Sequence, residues 1–189
     1  MSGSPLTILA SMRPQQWIKN LFLFAALVFS GHLFISGDLA RILLGFVFFS
    51  LSATGIYIFN DITDLERDKL HPVKSRRPLP SGQISVGIAY VSSLILLAAG
   101  LTGSYLLEPR FFGILLIYIF LNVLYSLYLK NVVILDVMTI AAGFVLRVLG
   151  GAVIISVPTS EWLIICTVLL SLFLGFSKRR HELTMLEAS

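Results

Sequence analysis

Apolar residues run along this chain in long blocks broken by short polar stretches. Six blocks approach the roughly 20 apolar residues that a helix needs to cross a bilayer: 18–36, 41–60, 84–106, 111–129, 132–156 and 161–177. The first and last are short and fit a tilted or partly re-entrant helix. Turn signals separate the blocks at Ser36-Gly37-Asp38, Pro78-Leu79-Pro80-Ser81-Gly82, Glu108-Pro109, Lys130-Asn131 and Val157-Pro158-Thr159-Ser160. Every connection is short except 61–83, and a long polar connection in an otherwise tight bundle is usually functional. The pattern predicts an all-α integral membrane protein: a polytopic bundle of about six transmembrane helices in a single domain over 1–189, with functional loops at 61–83 and 177–189.

Composition agrees with that reading. The chain is 57% hydrophobic and 13% charged, about half the charged fraction of a soluble domain, and its mean hydropathy is +0.91. Soluble classes are excluded, and no nucleic-acid partner is expected. The single cysteine, Cys166, lies in an apolar run, so neither a disulfide framework nor a thiolate metal site is available. It reads as a small buried hydrophobe. The N-terminus does not read as a cleaved signal peptide, because Arg13 and Lys19 come late and no small-residue cleavage site follows the apolar run.

The placement of charge says more than its sum. Arg13, Lys19, Arg67, Lys69, Lys74, Arg76, Arg77, Lys130, Lys178, Arg179 and Arg180 fall on one side of the predicted bundle. Arg41 and Arg110 fall on the other, and Arg147 lies within a span. The positive-inside rule puts the basic side in the cytoplasm. The expectation is a multi-pass protein of the cell membrane with a cytoplasmic N-terminus and site.

The stretch Asn60-Asp61-Ile62-Thr63-Asp64-Leu65-Glu66-Arg67-Asp68 directly follows an apolar run. On a helix Asp61, Asp64 and Asp68 share one face. One Asp is a common helix cap, but a cap needs one carboxylate rather than three. Like charges facing one way repel, and a hard cation removes the repulsion. Mg²⁺ bridges one or two carboxylates to substrate phosphates. Lys74, Arg76 and Arg77 follow in a proline-stiffened loop; they suit either a phosphate clamp or an anchor to anionic headgroups. The segment Arg13-Pro14-Gln15-Gln16-Trp17-Ile18-Lys19-Asn20 reads equally as an interfacial anchor or as a source of phosphate ligands. Tyr125, Tyr128 and Lys130 flank the fourth turn. Asp136 and Arg147 lie nearly on one helical face within the fifth block, as a functional pair or a structural ion pair. Lys178-Arg179-Arg180-His181-Glu182 reads as a stop-transfer cluster or as a second phosphate-binding element. Taken together, these residues describe a Mg²⁺–diphosphate site at a membrane surface.

The motif Asn60-Asp61-x-x-Asp64-x-x-x-Asp68 resembles the first aspartate-rich motif of the UbiA-type membrane prenyltransferase superfamily. The resemblance extends through 13–20, 71–82, 125–130 and 143–147, and so covers essentially the whole chain. It implies nine helices around a central cavity with two polar cytoplasmic motifs. The sequence has room for six, so part of a longer bundle is expected. Aromatic prenyltransferases of that superfamily carry a second aspartate-rich motif. Here Ser177-Lys178-Arg179-Arg180-His181-Glu182 stands in its place. That substitution resembles the branch that moves 5-phosphoribose from phosphoribosyl diphosphate to a polyprenyl (decaprenyl) phosphate in cell-wall precursor synthesis. The resemblance implies Mg²⁺ on Asn60, Asp61 and Asp64, with Asp61, Asp64 and Asp68 as the catalytic carboxylates. It implies substrate contacts from Lys19, Lys74, Arg76, Arg77, Tyr128, Lys130, Asp136, Arg147, Lys178 and Arg179. Its partners are the two phosphorylated substrates and the bilayer, with a homo-oligomer left open. Two alternatives remain: prenyl transfer from a prenyl diphosphate to an aromatic or other acceptor, and a non-catalytic metal- or lipid-binding membrane subunit.

Overall fold

A computed structural model describes residues 12–187, with the backbone alone for 131, 178 and 181–187. Among the described residues every regular element is helical. A membrane interior enforces this, because a helix satisfies its own backbone hydrogen bonds where no water can. The long helices are α2 (Ser36–Thr63), α4 (Val86–Leu107), α5 (Pro109–Leu127), α6 (Val133–Ile154) and α7 (Glu161–Glu187). Short helices are α1 (Phe24–Phe29) and α3 (Leu65–Leu70). Four of these, α2, α4, α5 and α6, are long and apolar enough to cross a membrane, and α7 adds a shorter apolar stretch, Glu161–Ser177.

The first apolar block is not one helix. It begins as a 3₁₀ strap, Pro14–Leu23, continues as α1, and ends in a 3₁₀ turn, His32–Phe34. Gly31 interrupts it at φ 76°, a left-handed conformation that glycine adopts without steric cost. Cys166 also departs from expectation: it is exposed on α7, on a face that carries Trp162, Ile165 and Leu169 outward.

At 28 residues α2 is about 42 Å long, well beyond a hydrocarbon core of about 30 Å. Its last turn, with Asp61, therefore emerges at headgroup depth. The start of α2 is fixed at the opposite end of the bundle. Arg41 donates from Nε to the Ile154 carbonyl at 2.9 Å and from Nη2 to the Leu107 carbonyl at 3.3 Å. One guanidinium thus closes the last turns of α6 and α4. Glu108 stands 3.7 Å from Arg41. A hydrogen bond from Arg110, and secondarily the nearby positive charges, hold the Glu108 carboxyl below the usual range.

The helices meet through bare backbone as well as side chains. Phe49, Phe111, Leu115 and Tyr118 form the centre of the core with Leu23, Leu27, Ile42 and Ile154. A Cβ on Gly100 of α4 would lie 2.1 Å from Ser52 Oγ and 2.7 Å from the Phe48 carbonyl. Small residues permit such approach where lipid supplies no hydrophobic drive between helices. Gly151 of α6 is tighter still, because a Cβ there would stand 1.9 Å from the Leu23 carbonyl oxygen. That oxygen is backbone and cannot swing aside. Gly151→Ala is expected to cost about 1–3 kcal/mol or more, read as a lower melting temperature in detergent. Gly113→Ala, which meets nothing within 4 Å, should not lower the melt.

Candidate active site

The last turn of a helix carries partial negative charge, so a carboxylate there is disfavoured without cations. Asp61 occupies that position on α2 and is 5% exposed. Arg13 donates to both of its oxygens, and Arg77 Nη1 donates to Oδ1 at 3.1 Å. The same Nη1 reaches Asp68 Oδ2 at 2.8 Å. Lys74 stands 3.7 Å from Asp68 Oδ1. Arg77 therefore joins two buried carboxylates that come from different helices.

The aspartates do not form one continuous helical face. The helix breaks at Asp64, whose φ and ψ of −98° and 6° end α2 before α3 begins. Asp61 and Asp68 converge on Arg77, while Asp64 is drawn to Lys130 in the turn between α5 and α6. Asp136, fully buried in the first turn of α6, pairs with Arg179 of α7. Arg179 Nη2 also donates to the Lys130 carbonyl at 3.3 Å. These contacts connect the end of α2, the 61–83 connection, the α5–α6 turn and α7 at one end of the bundle.

The expected relation between Asp136 and Arg147 is not found. Arg147 lies deeper in α6, is 4% exposed, and has no carboxylate partner among the described residues. Its Nε donates to Asn20 Oδ1 at 2.8 Å, Nη1 to the Gly143 carbonyl at 2.7 Å, and Nη2 to Tyr118 Oη at 3.1 Å. Their spacing of eleven residues puts Asp136 and Arg147 on one face but three turns apart, too far to pair. Arg76 and Tyr128 are both exposed, and neither joins the ionic cluster. The Lys178 side chain, His181 and Glu182 lie outside the described side chains.

Beside the cluster is a cavity of about 430 Å³, with Lys19, Tyr118, Asn122, Tyr125, Thr139 and Arg147 among its polar walls. Tyr118, Asn122 and Thr139 were not singled out from the sequence. The signal was present: Tyr118, Asn122 and Tyr125 recur at helical spacing on α5, and Thr139, Gly143 and Arg147 do so on α6.

The donor set fits one mode of Mg²⁺ binding and not another. Asn60 Oδ1 is buried and has no hydrogen-bond partner, and Asp61 and Asp64, one and four residues on, carry hard carboxylate oxygens. No group of three or more metal-ligating side chains converges among the described residues. Those residues therefore do not build a cage made only of protein. A Mg²⁺ held by one or two carboxylates and completed by substrate phosphates suits them.

Comparison with known proteins settles the family. The model of the UbiA prenyltransferase family matches residues 20–180. This chain belongs to that family. Decaprenyl-phosphate phosphoribosyltransferase of Mycolicibacterium smegmatis is 34% identical over 184 residues, covering 95% of this chain and 58% of the relative. Digeranylgeranylglyceryl phosphate synthase of Sulfolobus acidocaldarius is 46% identical over 82 residues, 43% of this chain and 29% of the relative. A solved UbiA homolog from Archaeoglobus fulgidus bound to DMAPP and Mg²⁺ superposes with a TM-score of 0.76 at 24% identity. That match covers 87% of this chain and 59% of the other, and is a likeness of fold. The UbiA-family chain spans about three fifths of the length of the phosphoribosyltransferases it matches.

The ion pairs make a stability prediction independent of any substrate. Arg179→Met strands a buried carboxylate on Asp136, at an expected cost of about 3–5 kcal/mol. Asp136→Asn combined with Arg179→Met removes both charges and should recover most of that loss. Denaturant or thermal unfolding of the two variants in detergent checks it.

Proposed function

We propose that this site transfers 5-phosphoribose from phosphoribosyl diphosphate to a polyprenyl phosphate, decaprenyl phosphate or a near homologue, with release of diphosphate. The observation that supports the reading is the number of cations collected at the basic end of the bundle. Arg13, Lys74, Arg77, Lys130 and Arg179 all reach the carboxylate cluster, and Lys19 lines the cavity. One diphosphate does not require so many. A donor with a further phosphate, together with a lipid phosphate, does. Similarity over 95% of this chain to a decaprenyl-phosphate phosphoribosyltransferase supports the same choice.

Asn60, Asp61 and Asp64 are assigned to Mg²⁺, with Asp68 tied to Asp61 through Arg77. The metal, when bound, supplies Lewis-acid neutralisation of charge on the departing diphosphate. Arg13, Lys19, Lys74, Arg76 and Arg77 hold the diphosphate or the lipid phosphate, by charge-assisted hydrogen bonds aimed where charge develops. Lys130, Lys178 and Arg179 hold the 5-phosphate, with Asp136 fixing Arg179 by its ion pair and exposed Tyr128 left to a substrate contact at the surface. The bond between ribose C1 and the diphosphate oxygen breaks, and the diphosphate leaves with the electron pair. C1 passes through an oxocarbenium-like state, as in glycosyl transfer generally. A phosphate oxygen of the lipid then forms the new bond to C1. That oxygen is already anionic near neutral pH, because a second phosphate pKa lies near 6, so no strong general base is required. The exposed apolar faces of the helices, Phe120 and Leu94 among them, leave the prenyl tail in lipid. The site faces the cytoplasm of the cell membrane, on the basic side of the bundle.

A second reading, prenyl transfer from a prenyl diphosphate, draws on the shorter match to the digeranylgeranylglyceryl phosphate synthase. One assay separates the two. The protein in liposomes with Mg²⁺ is given phosphoribosyl diphosphate and a polyprenyl phosphate, and diphosphate release is followed. Release is expected, with Asp61→Asn lowering it about 10²-fold or more. Release from a prenyl diphosphate, but not from phosphoribosyl diphosphate, reverses the assignment.

Arg77 and the metal compete for Asp61. Arg77→Gln is therefore expected to melt lower than the parent without metal, yet to gain more melting temperature on adding Mg²⁺. A gain no larger than the parent's contradicts the competition.

A further inference from the structure

Arg147 is a permanent charge in the interior of a membrane bundle, and burying such a charge costs several kcal/mol. No anion among the described residues offsets it. Its partners are neutral and come from separate segments: Asn20 on the strap, Tyr118 on α5 and the Gly143 carbonyl on its own helix. Its guanidinium carbon lies 5.0 Å from the ring centre of Phe49 on α2, 4.9 Å from Tyr118 and 5.6 Å from Phe144. Cation–π contacts on the faces and hydrogen bonds at the edge leave the guanidinium plane no freedom.

The strap it grips has an unusual conformation. Pro14–Leu23 is 3₁₀ for ten residues, whereas such runs seldom exceed three or four. In a 3₁₀ helix residues three apart eclipse one another. Trp17, Asn20 and Leu23 therefore form one row, and each is anchored. Trp17 Nε1 donates to Thr54 Oγ1 at 3.1 Å. Asn20 Nδ2 donates to Ser50 Oγ at 2.9 Å while its Oδ1 accepts from Arg147. The Leu23 carbonyl lies against the bare face of Gly151. Gln16, Lys19 and Phe22 form the next row. Phe22 stacks edge-on against the cavity residue Phe144 at 4.8 Å, and Lys19 lines the cavity. In an α-helix residues three apart are rotated by about 60°, so the three anchors would fan over about 120° instead of standing in one row. The anchors therefore enforce the 3₁₀ winding, and the winding sets which way Lys19 points.

We propose that Arg147 is a positioning residue: by holding Asn20, it keeps the strap wound so that Lys19 faces the cavity as a ligand for substrate phosphate. The strap starts at Arg13, itself in the left-handed region at φ 49° and held by its own pair with Asp61. The proposal rests on the phosphoribosyl reading only for the identity of the phosphate.

Two measurements test it. Trp17 lies on the strap and Trp162 is the only other tryptophan, so a Trp162→Phe background reports strap conformation by emission and acrylamide quenching. In that background Arg147→Met is expected to red-shift Trp17 and expose it to quencher. An unchanged Trp17 overturns the proposal, because it shows the strap held without Arg147. The second measurement is the affinity for inorganic diphosphate with Mg²⁺. Lys19→Met and Arg147→Met should each weaken it about tenfold, and the double variant should be no weaker than Lys19→Met alone within about twofold. Arg147→Met combined with Arg76→Met should be additive. Additive losses in the Lys19 pair overturn the proposal. Should Arg147→Met not fold, Asn20→Ala breaks the same link and must give the same two results. If the parent binds no diphosphate, the functional reading fails, while the Trp17 measurement still decides whether Arg147 positions the strap.

Discussion

A carboxylate at the end of a membrane helix must be neutralised, and the rest of this site follows from how that is done. Asp61 sits where the α2 dipole is negative and water is scarce, so it draws Arg13 from the strap and Arg77 from the 61–83 connection. Arg77 brings Asp68 with it. Asp64, turned aside by the helix break, draws Lys130 from the α5–α6 turn, and Asp136 draws Arg179 from α7. Four carboxylates thereby join segments far apart in sequence, beside an apolar cluster of Ile58, Leu79, Ile84 and Ala89 that packs the 61–83 connection against α2 and α4.

The same need to pair charge appears at the far end, with a different outcome. Arg41 and Arg110 secure carbonyl groups and Glu108. The two ends differ in what their cations hold. Arg41 holds backbone carbonyls, which no ligand can replace. Arg13, Arg77 and Lys130 hold carboxylates, which a divalent cation can take over while the freed bases turn to phosphate. A site of that construction favours metal and phosphate arriving together, since either alone leaves charges of one sign unpaired.

Much of this was legible in the sequence. The helices α2, α4, α5 and α6 follow the apolar blocks to within a few residues, because a bilayer imposes length and composition directly. The acidic and basic stretches were visible because charge beside an apolar run is conspicuous. Three things were hidden. The first apolar block carries no proline or charge between Leu21 and Gly31, so nothing in its hydropathy distinguishes a 3₁₀ strap from a helix; its anchors Asn20 and Gly151 act through partners distant in sequence. At the break Asp64 pairs with Lys130, 66 residues away, and a helical-face argument on 60–68 cannot see that partner. Arg147 stood out as a charge in a span, but the nearest acid on its face, Asp136, was the wrong partner. Its true partners are neutral, and neutral polar residues in apolar helices look unremarkable one at a time.

Arg147 also explains how rigid and exchangeable parts coexist in one site. In the proposed reaction, charges that must change partner cannot themselves hold the architecture. Here the exchangeable pairs lie at headgroup depth, where Lys74, Arg77 and Asp64 keep some exposure. The fixed contacts lie deeper, where Asn20, Ser50, Tyr118 and Arg147 are each at least nine-tenths buried. Burial makes a hydrogen bond harder to give up, because an unpaired donor there has no water to turn to. A guanidinium bonded only to neutral groups has a further advantage in that position: an incoming cation gains less from its partners than from a carboxylate. Metal and phosphate can then rearrange the upper layer while the strap that carries Arg13 and Lys19 keeps its winding.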